Sequence, residues 1–302
     1  MQLSHLQMFC EAVEQRSFSK AATQLQVTQS AVSQAVQLIE KHLGTTLIDR
    51  SKRPFALTEA GSIYFKGCVN TLCEYRSLED RVRQLGKQVV GRLRVSAIYS
   101  VGLLEMTELI EAHQSEFPEV QIDCQYCHPS EVRERVLNGH SELGITSFPQ
   151  TSADLNVITW QDQEMVVVVG PKHPFWGRET IQPQELNEEK FVAFNSLLKI
   201  RSHTDRWFKS VDVGVQILHE FDDVENVKRD VEFGTACALL PLPTIYQELK
   251  RNSLWAVKIQ NVHWTRPLGI LHHRQRSLSK AAETFLNRLL EHTTDPSQAL
   301  RA

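Results

Sequence analysis

Five uncharged side chains that form hydrogen bonds recur between residues 29 and 37: Gln29, Ser30, Ser33, Gln34 and Gln37. They share one face of a predicted helix, whose opposite face carries Val32, Val36 and Ile39 at steps of four and three. A helix exposed to water normally shows charged residues there. Gln and Ser instead suit hydrogen bonding with base edges in the DNA major groove. The spacing therefore predicts a surface that reads DNA.

A short basic loop follows this helix and contains Arg50, Lys52 and Arg53 directly before Pro54. Cations on such a loop neutralise phosphates of the DNA backbone, which positions a protein without reading sequence. Residues 1–60 carry six Lys and Arg against five Asp and Glu, so their formal charge is only +1. The prediction therefore depends on where the cations lie, and a solvated basic loop is the alternative.

Polar side chains follow several predicted strands further along the chain. Open α/β sheets bind ligands at the carboxyl ends of their strands, beside helix N-termini. This rule selects eight candidate ligand-binding residues: Tyr99, Ser100, His128, Ser130, Thr146, Asn195, Ser196 and Arg201. A plain helix cap is the alternative for each Ser or Thr. Arg201 lies in the first turn of a predicted helix, where a cation opposes the dipole, and solvent exposure is its alternative.

Cys124, Cys127 and His128 form the attachment pattern of c-type haem. The same stretch ends a strand that the α/β alternation requires, and structural zinc needs two further ligands. No nucleophile elbow, Walker loop, HExxH or GxGxxG sequence is present. We therefore expect no cofactor, no metal and no catalytic residues, with a thiol-redox sensing protein as an alternative function.

The proposed reading face requires two helices joined by a tight turn. Ser17 and Thr28 are predicted N-caps, and the small Ala21 and Ala22 allow the close, steep crossing of a helix-turn-helix. A capping box at residues 4–7 is expected to open a preceding helix. The buried face of that helix would comprise Leu6, Phe9, Cys10 and Val13. A hairpin wing is expected at residues 46–57.

Thr58 is predicted to cap a long helix whose apolar stripe repeats about every 3.6 residues. The stripe comprises Tyr64, Cys68, Leu72, Tyr75, Leu78, Val82, Leu85 and Val89. Such a helix would extend roughly 45 Å, and nothing close in sequence covers the whole stripe. A partner chain is the expected cover, and packing against its own domain is the alternative.

From Gly91 onward, predicted strands alternate with predicted helices, which favours open, mostly parallel sheets in two subdomains. Strands are expected at 93–98, 120–126, 143–148, 155–160, 164–169, 191–194, 215–221, 236–240 and 265–272. Helices are expected at 102–116, 130–138, 198–210, 224–232, 242–250 and 278–292.

The N-terminal segment resembles the winged helix-turn-helix of the LysR-type transcriptional regulators. The resemblance is carried by Phe18-Ser-Lys-Ala-Ala22, Gln29-Ser-Ala-Val-Ser33, Leu38-Ile-Glu40, Leu43-Gly44, Leu47-Ile-Asp-Arg50 and Leu57-Thr-Glu-Ala-Gly61. Residues 233–241 also resemble a Gly-rich segment of the family's second lobe, so the likeness covers nearly the whole chain. Many members carry Arg where Gln34 stands, so less reading of guanine is expected here.

The resemblance implies an all-α winged helix-turn-helix domain at 1–58, a linker and dimerisation helix at 59–89, an α/β effector-binding domain at 90–295 and a tail at 296–302. The effector domain would resemble a periplasmic solute-binding protein, with lobe I at 90–161 and 266–295 and lobe II at 162–265. The eight strand-end residues would line a cavity for a small polar or anionic metabolite.

The resemblance also implies partners. They are double-stranded DNA with an inverted repeat of T-rich and A-rich halves, further copies of the chain as a dimer and then a tetramer, and the transcription machinery. Activation is the commoner outcome in the family. The alternative is a solute-binding protein whose N-terminal domain makes only protein contacts, against which the Gln and Ser face argues.

The chain has 302 residues, of which 41% are hydrophobic and 23% are charged, as in ordinary globular proteins. The net charge of −3 does not by itself suggest nucleic acid. No apolar run reaches about 18 residues and the start lacks a secretory pattern, so we expect a cytoplasmic protein without a membrane partner. The six cysteines are expected to be reduced thiols.

Overall fold

The computed structural model describes residues 2–83, 89–102 and 106–292. The chain forms two compact units. The first comprises residues 1–87 with 276–279, and the second comprises residues 88–275 with 280–302.

Three short helices form the first unit's N-terminal part: α1 (Leu3–Gln15), α2 (Phe18–Leu25) and α3 (Gln29–Leu43). The predicted N-caps of the second and third are confirmed, because Ser17 accepts from Lys20 N and Thr28 accepts from Ala31 N. Gln26 has a left-handed φ of 55°, which turns the chain between α2 and α3. The buried Ala21, Ala22 and Val32 belong to one apolar cluster, so these two helices pack closely.

The predicted capping box at residues 4–7 is wrong. Helix α1 begins at Leu3 with Gln2 as its N-cap, and no side chain caps it. Ser4 is already helical, two residues after the N-cap, so its hydroxyl does not cap the first free N–H groups. The predicted apolar face is correct, since Leu6, Phe9 and Cys10 are buried and Val13 packs against them.

The wing is a minimal hairpin of β1 (Ile48–Asp49) and β2 (Ala56–Leu57), paired antiparallel. The carboxylate of Glu40 fixes the start of this hairpin. Glu40 Oε1 accepts from Leu47 N at 2.8 Å and Ile48 N at 3.1 Å, while Oε2 accepts from Arg50 Nη2 at 3.1 Å. The end of α3 is therefore tied to the start of the wing.

Helix α4 (Glu59–Arg83) follows the wing, and Thr58 caps it as predicted, with its Oγ1 accepting from Gly61 N at 2.9 Å. The first half of the apolar stripe packs within this unit, since Cys68 and Leu72 are buried beside Phe9. The second half is exposed: Tyr75 by 44%, Leu78 by 55% and Val82 by 59%. Self-packing is thus correct for one half, and cover by a partner stays a prediction for the other. Leu85 lies outside the described residues, and Val89 lies beyond α4.

The second unit alternates strands and helices. Its strands are β3 (Gly91–Ile98), β4 (Val120–Cys127), β5 (Leu143–Ser147), β6 (Leu155–Val169), β7 (Thr180–Ile181), β8 (Lys190–Phe194), β9 (Gln216–Phe221), β10 (Cys237–Pro241), β11 (Trp255–Ile259) and β12 (Thr265–His273). Its α-helices are α5 (Tyr99–Gly102), α6 (Met106–Glu116), α7 (Pro129–Leu137), α8 (Lys199–Ser210), α9 (Val224–Phe233), α10 (Tyr246–Lys250) and α11 (Lys280–Glu291). Short 3-10 helices cover Pro183–Leu186 and Leu242–Ile245.

The described strands of this unit form one sheet in the order β4-β3-β5-β12-β6-β10-β8-β9, with β11 beside β6 and β7. The outer strands are parallel, as predicted, because β3 is parallel to β4 and β5, and β8 to β9 and β10. The centre is antiparallel, which the sequence did not predict. There β12 pairs with residues 155–164 of β6, and β10 pairs with residues 165–169. Strand β6 therefore belongs to both halves of the sheet.

Other departures from the predicted elements have local causes. Residues 155–160 and 164–169 form one strand, because the polar residues 161–163 between them continue the pairing with β12. The short β7 and β11 were not predicted. The predicted helix at 242–250 begins as a 3-10 turn, and the one at 102–116 is described only as α5 and α6, since residues 103–105 lie outside the described residues.

Two glycines of α4 offer a matched test of the wing. A Cβ on Gly61 would lie 2.0 Å from the Leu47 carbonyl oxygen, whereas nothing lies within 4 Å of one on Gly67. We expect Gly61→Ala to lower the free energy of unfolding by about 2–3 kcal/mol through overpacking. Gly67→Ala should raise it by roughly 0.5–1 kcal/mol through helix propensity. Urea unfolding of both variants measures the difference, and equal effects would contradict the close contact between α4 and the wing.

Candidate functional site

The predicted reading face of α3 is a continuous, uncharged polar surface in the structure. Gln29, Ser30, Gln34 and Gln37 are exposed and Ser33 is half-buried, while Val32, Val36 and Ile39 are buried on the opposite side. Ser30 is partly engaged, since its Oγ lies 2.9 Å from Thr28 Oγ1. This surface lies on the second helix of a helix-turn-helix, which is the helix that such domains place in the DNA major groove.

The three loop cations have different surroundings. Arg50 is 43% exposed, pairs with Glu40 and lies 5.7 Å from the Phe18 ring centroid. Lys52 is 67% exposed, and its Nζ lies 3.9 Å from a carboxylate oxygen of Asp49. Arg53 is exposed. Arg50 therefore ties the wing to Glu40 of α3 and also presents a positive charge. Lys52 and Arg53 are exposed to water.

Five of the eight predicted ligand residues line one cavity of about 350 Å³ in the second unit: Tyr99, Ser100, His128, Ser130 and Thr146. Tyr99 and Ser100 follow β3, His128 and Ser130 follow β4, and Thr146 is the second-last residue of β5. These parallel strands have their carboxyl ends at one edge of the sheet. A neighbouring cavity of about 540 Å³ shares Tyr99 and His128 and adds Tyr126 and Glu225. The strand-end rule thus selected five residues that line one cavity, and their role in binding a ligand stays a prediction.

His128 serves as the cap of α7. Its Nδ1 accepts from Ser130 N at 3.3 Å and lies 2.7 Å from Ser130 Oγ. A neutral imidazole that accepts at Nδ1 carries its proton on Nε2, so this histidine keeps one donor for a ligand.

The other three predicted residues are not among those that line the cavity. Asn195 Oδ1 accepts from Leu197 N at 3.0 Å, which holds the turn after β8, and Ser196 is exposed. Arg201 bonds Asp205 at 2.9 Å, Glu220 at 2.6 Å and the Phe194 carbonyl at 2.9 Å. Its charge is compensated within the fold, so the structure gives it a role in holding α8 to β8 and β9.

Three cations that the sequence reasoning missed line the cavity instead: Arg133 of α7, Lys199 of α8 and Arg266 of β12. Lys199 is the first residue of α8, where the helix dipole disfavours a cation as it does at Arg201, so the sequence carried a signal for it. Arg133 is the fifth residue of α7 and carried no such signal. Arg266 is an isolated charge within a largely buried strand, and this isolation could have marked it in the sequence as a candidate ligand-binding residue.

Arg133 and Lys199 make the cavity wall electropositive. Burial lowers the pKa of the Lys199 ammonium, and the neighbouring Arg133 charge lowers it further. Lys199 Nζ donates to the Phe148 carbonyl at 3.2 Å, and neither cation has a carboxylate partner among the described residues. Leu198 is the N-cap of α8 and offers no side-chain cap, so this end of the helix also favours an anion.

Asp222 and Asp223 also line the cavity, so its wall is not uniformly positive. Asp223 caps α9, since its Oδ1 accepts from Asn226 N at 2.8 Å. Asp222 is exposed at the rim. The cavity therefore suits a small ligand with an anionic group and further polar groups.

The structure argues against both a disulfide and reactive thiolates at the haem-like cysteine pattern. Cys124 and Cys127 lie on β4, paired residue by residue with β3, and three extended residues separate their Cα atoms by about 10 Å. A disulfide needs less than about 7 Å. Burial raises the pKa of Cys127 to about 11 and also raises that of Cys124, so both stay protonated at neutral pH. The structure therefore does not favour a disulfide between these two thiols.

Among the described residues, no group of three or more His, Cys, Asp and Glu is placed to hold a metal ion. Likewise, none of the helices in the described ranges is long and apolar enough to span a membrane.

Two family models match the chain. The model described as "Bacterial regulatory helix-turn-helix protein, lysR family" matches residues 3–62, and the "LysR substrate binding domain" matches residues 86–294. A curated relative named "Probable RuBisCO transcriptional regulator", from Cyanidium caldarium, is 31% identical over 95% of this chain and 93% of its own length. The Bacillus subtilis regulator YybE is 24% identical over 98% of this chain and all of its own length.

Solved structures show the same fold. Full-length OxyR of Pseudomonas aeruginosa covers 96% of this chain and 94% of its own, with a TM-score of 0.75 and 18% identity. CbnR solved with its target DNA covers 96% and 99%, with a TM-score of 0.66 and 17% identity. The CcmR regulatory domain of Synechocystis PCC6803, solved with 2-PG, covers 68% and 99%, with a TM-score of 0.62 and 24% identity. The chain, matched by both models over most of its length, belongs to the LysR-type transcriptional regulators, which bind DNA and are not enzymes.

Proposed function

We propose that this regulator is controlled by a small anionic metabolite bound between two lobes of its second unit. Lobe I would comprise residues 90–161 and 266–295, and lobe II residues 162–265, with 1–58, 59–89 and 296–302 as the reading domain, linker helix and tail. The observation that carries the proposal is the cation pair Arg133 and Lys199. One comes from α7 and the other from α8, so each half of the sheet contributes a charge to one cavity.

Electrostatics favours an anion at this wall. The two positive charges repel each other. A negative group bound between them offsets that repulsion and stabilises both cations. The uncapped N-terminus of α8 adds backbone N–H donors and the positive end of its dipole. Since CcmR has been solved with 2-PG, that compound is the first probe for this chain.

An effector that bridges the lobes would favour one arrangement of them. Such a ligand shifts the equilibrium only by its difference in affinity for the two states. Contacts from Arg133 in one lobe and Lys199 in the other supply that difference, because both are made only when the lobes approach. Activation would then follow from a changed angle between the two reading heads.

For DNA binding, the protein would form a dimer through the exposed Tyr75, Leu78 and Val82 of α4. Two such dimers would then associate into a tetramer. The two α3 helices of one dimer would enter successive major grooves of an inverted repeat with T-rich and A-rich halves. Base contacts would come from Gln29, Ser30, Ser33, Gln34 and Gln37, and phosphate contacts from Arg50, Lys52 and Arg53. The regulator would work in the cytoplasm, where it reaches DNA and the transcription machinery.

Replacing one cavity cation tests the effector proposal. Lys199→Met should weaken binding of 2-PG by roughly 10–100-fold, because a hydrogen bond to a charged group contributes about 1.5–3 kcal/mol. Isothermal titration calorimetry on the full chain measures the affinity. Lys209→Met is the matched control, since Lys209 lies in the last turn of the same helix and does not line the cavity. Equal affinities for the two variants would contradict the proposed site.

Two substitutions separate base reading from phosphate binding. Gln34→Ala should relax preference at one position per half-site by about 1–3 kcal/mol, while Lys52→Ala should weaken binding to all sequences and reduce the slope of affinity against salt by roughly one. Gel shifts on operators with single base changes, at two salt concentrations, measure both. A uniform loss for Gln34→Ala, or a position-specific loss for Lys52→Ala, would refute the assigned roles.

A further inference from the structure

Arg266 is the most deeply buried cation among the described residues, with only 3% of its surface exposed. The comparison within the same unit is Lys228, which is 6% exposed and pairs with Glu225 at 2.6 Å and Glu248 at 2.9 Å. Arg266 makes no ion pair in the described parts of the chain. A buried charge without a counter-charge is costly, and Arg266 is the buried cation among the three that line the cavity without an ion pair in the described ranges.

Neutral groups alone hold the guanidinium. Its Nη1 donates to Ser100 Oγ at 3.1 Å, its Nε donates to Gln163 Oε1 at 3.1 Å, and its Nη2 donates to the same oxygen. A guanidinium carries five N–H donors, so these bonds leave two unused. Burial lowers the pKa of Arg266 to about 9, which still leaves it protonated at neutral pH.

The position of Arg266 connects the cavity to the centre of the sheet. It lies directly opposite Gln163 in the β12–β6 ladder, one pair before Thr265 and Glu164, where that ladder ends. From Met165 onward β6 pairs with β10. Any group that binds Arg266 therefore acts where the two halves of the sheet join.

We propose that Arg266 is the specificity-determining residue of the cavity, and that the acidic group of the effector supplies its missing counter-charge. The inference rests on the proposed function, because it requires an anionic effector. The two unused N–H donors suit a carboxylate or a phosphate, whose paired oxygens accept from a planar fork. Arg133 and Lys199 attract such a group, and Arg266 distinguishes it from a neutral analogue of the same shape.

A cost in stability follows for the protein without its effector. An arginine that served only to hold the fold would make the protein less stable when removed. An uncompensated buried charge does the opposite when it is replaced by an apolar side chain of similar size together with Gln163, which accepts two of its three hydrogen bonds. The two roles therefore predict opposite changes in Tm.

The test uses the full chain and the double variant Gln163→Leu/Arg266→Met. Arg206→Met is the control, since it removes the same charge from an exposed position outside the cavity. Thermal unfolding is followed without ligand, with 2-PG and with inorganic phosphate, against sodium chloride at equal ionic strength. We expect the double variant to melt a few degrees above the wild type without ligand.

With a probe at about a hundred times its Kd, the Tm of the wild type and of Arg206→Met should rise by roughly 5 °C. The Tm of the double variant should stay unchanged. A double variant that melts below the wild type without ligand, or that responds to the probe as the wild type does, overturns the inference. The second result would leave the anionic effector standing.

If neither probe raises the Tm of the wild type, the proposed anionic effector fails, and the comparison without ligand alone decides whether Arg266 is uncompensated. If the double variant does not fold, Arg266→Lys replaces it. That variant keeps the charge but not the planar fork, and we expect it to bind the probe at least tenfold more weakly. Wild-type affinity for this variant would overturn the inference.

Discussion

The second unit depends on one strand that serves two halves of a sheet. Residues 155–164 of β6 pair with β12, and residues 165–169 pair with β10 and β11. The valines at 166–169 are fully buried, so this part of the strand is covered on both faces, and the register of β6 is set by pairing with β10, β11 and β12. The register in turn places Gln163 opposite Arg266 and sets where the cavity lies.

Charge compensation decides which cations are available to a ligand. Arg201, Lys228 and Arg50 each have carboxylate partners, and each holds two elements of the fold together. Arg133, Lys199 and Arg266 line the cavity and have none among the described residues. The first three cations are thus compensated within the fold, whereas the other three remain available at one concave surface. That distribution, rather than the net charge of −3, indicates the chemistry of the ligand.

Local signals in the sequence predicted three helix caps correctly, although the capping box expected at residues 4–7 was wrong. Ser17, Thr28 and Thr58 cap helices where their patterns placed them, because a cap depends on three or four neighbouring residues. The strand-end rule found Tyr99, Ser100 and Thr146, since parallel neighbours bring their carboxyl ends to one edge. It failed for Asn195, whose side chain is used by its own turn. Arg266 and Gln163 could not be recognised as a pair, because they are far apart in sequence and their contact depends on the antiparallel register at the centre of the sheet.

The most direct test of the account is selection of bound sequences from a random double-stranded DNA library by the purified full chain at two salt concentrations. The account predicts an inverted repeat with T-rich and A-rich halves, read by two α3 helices, and affinity that falls steeply as salt rises. A folded protein that enriches no sequence, or that binds DNA with the same affinity at both salt concentrations, would contradict it.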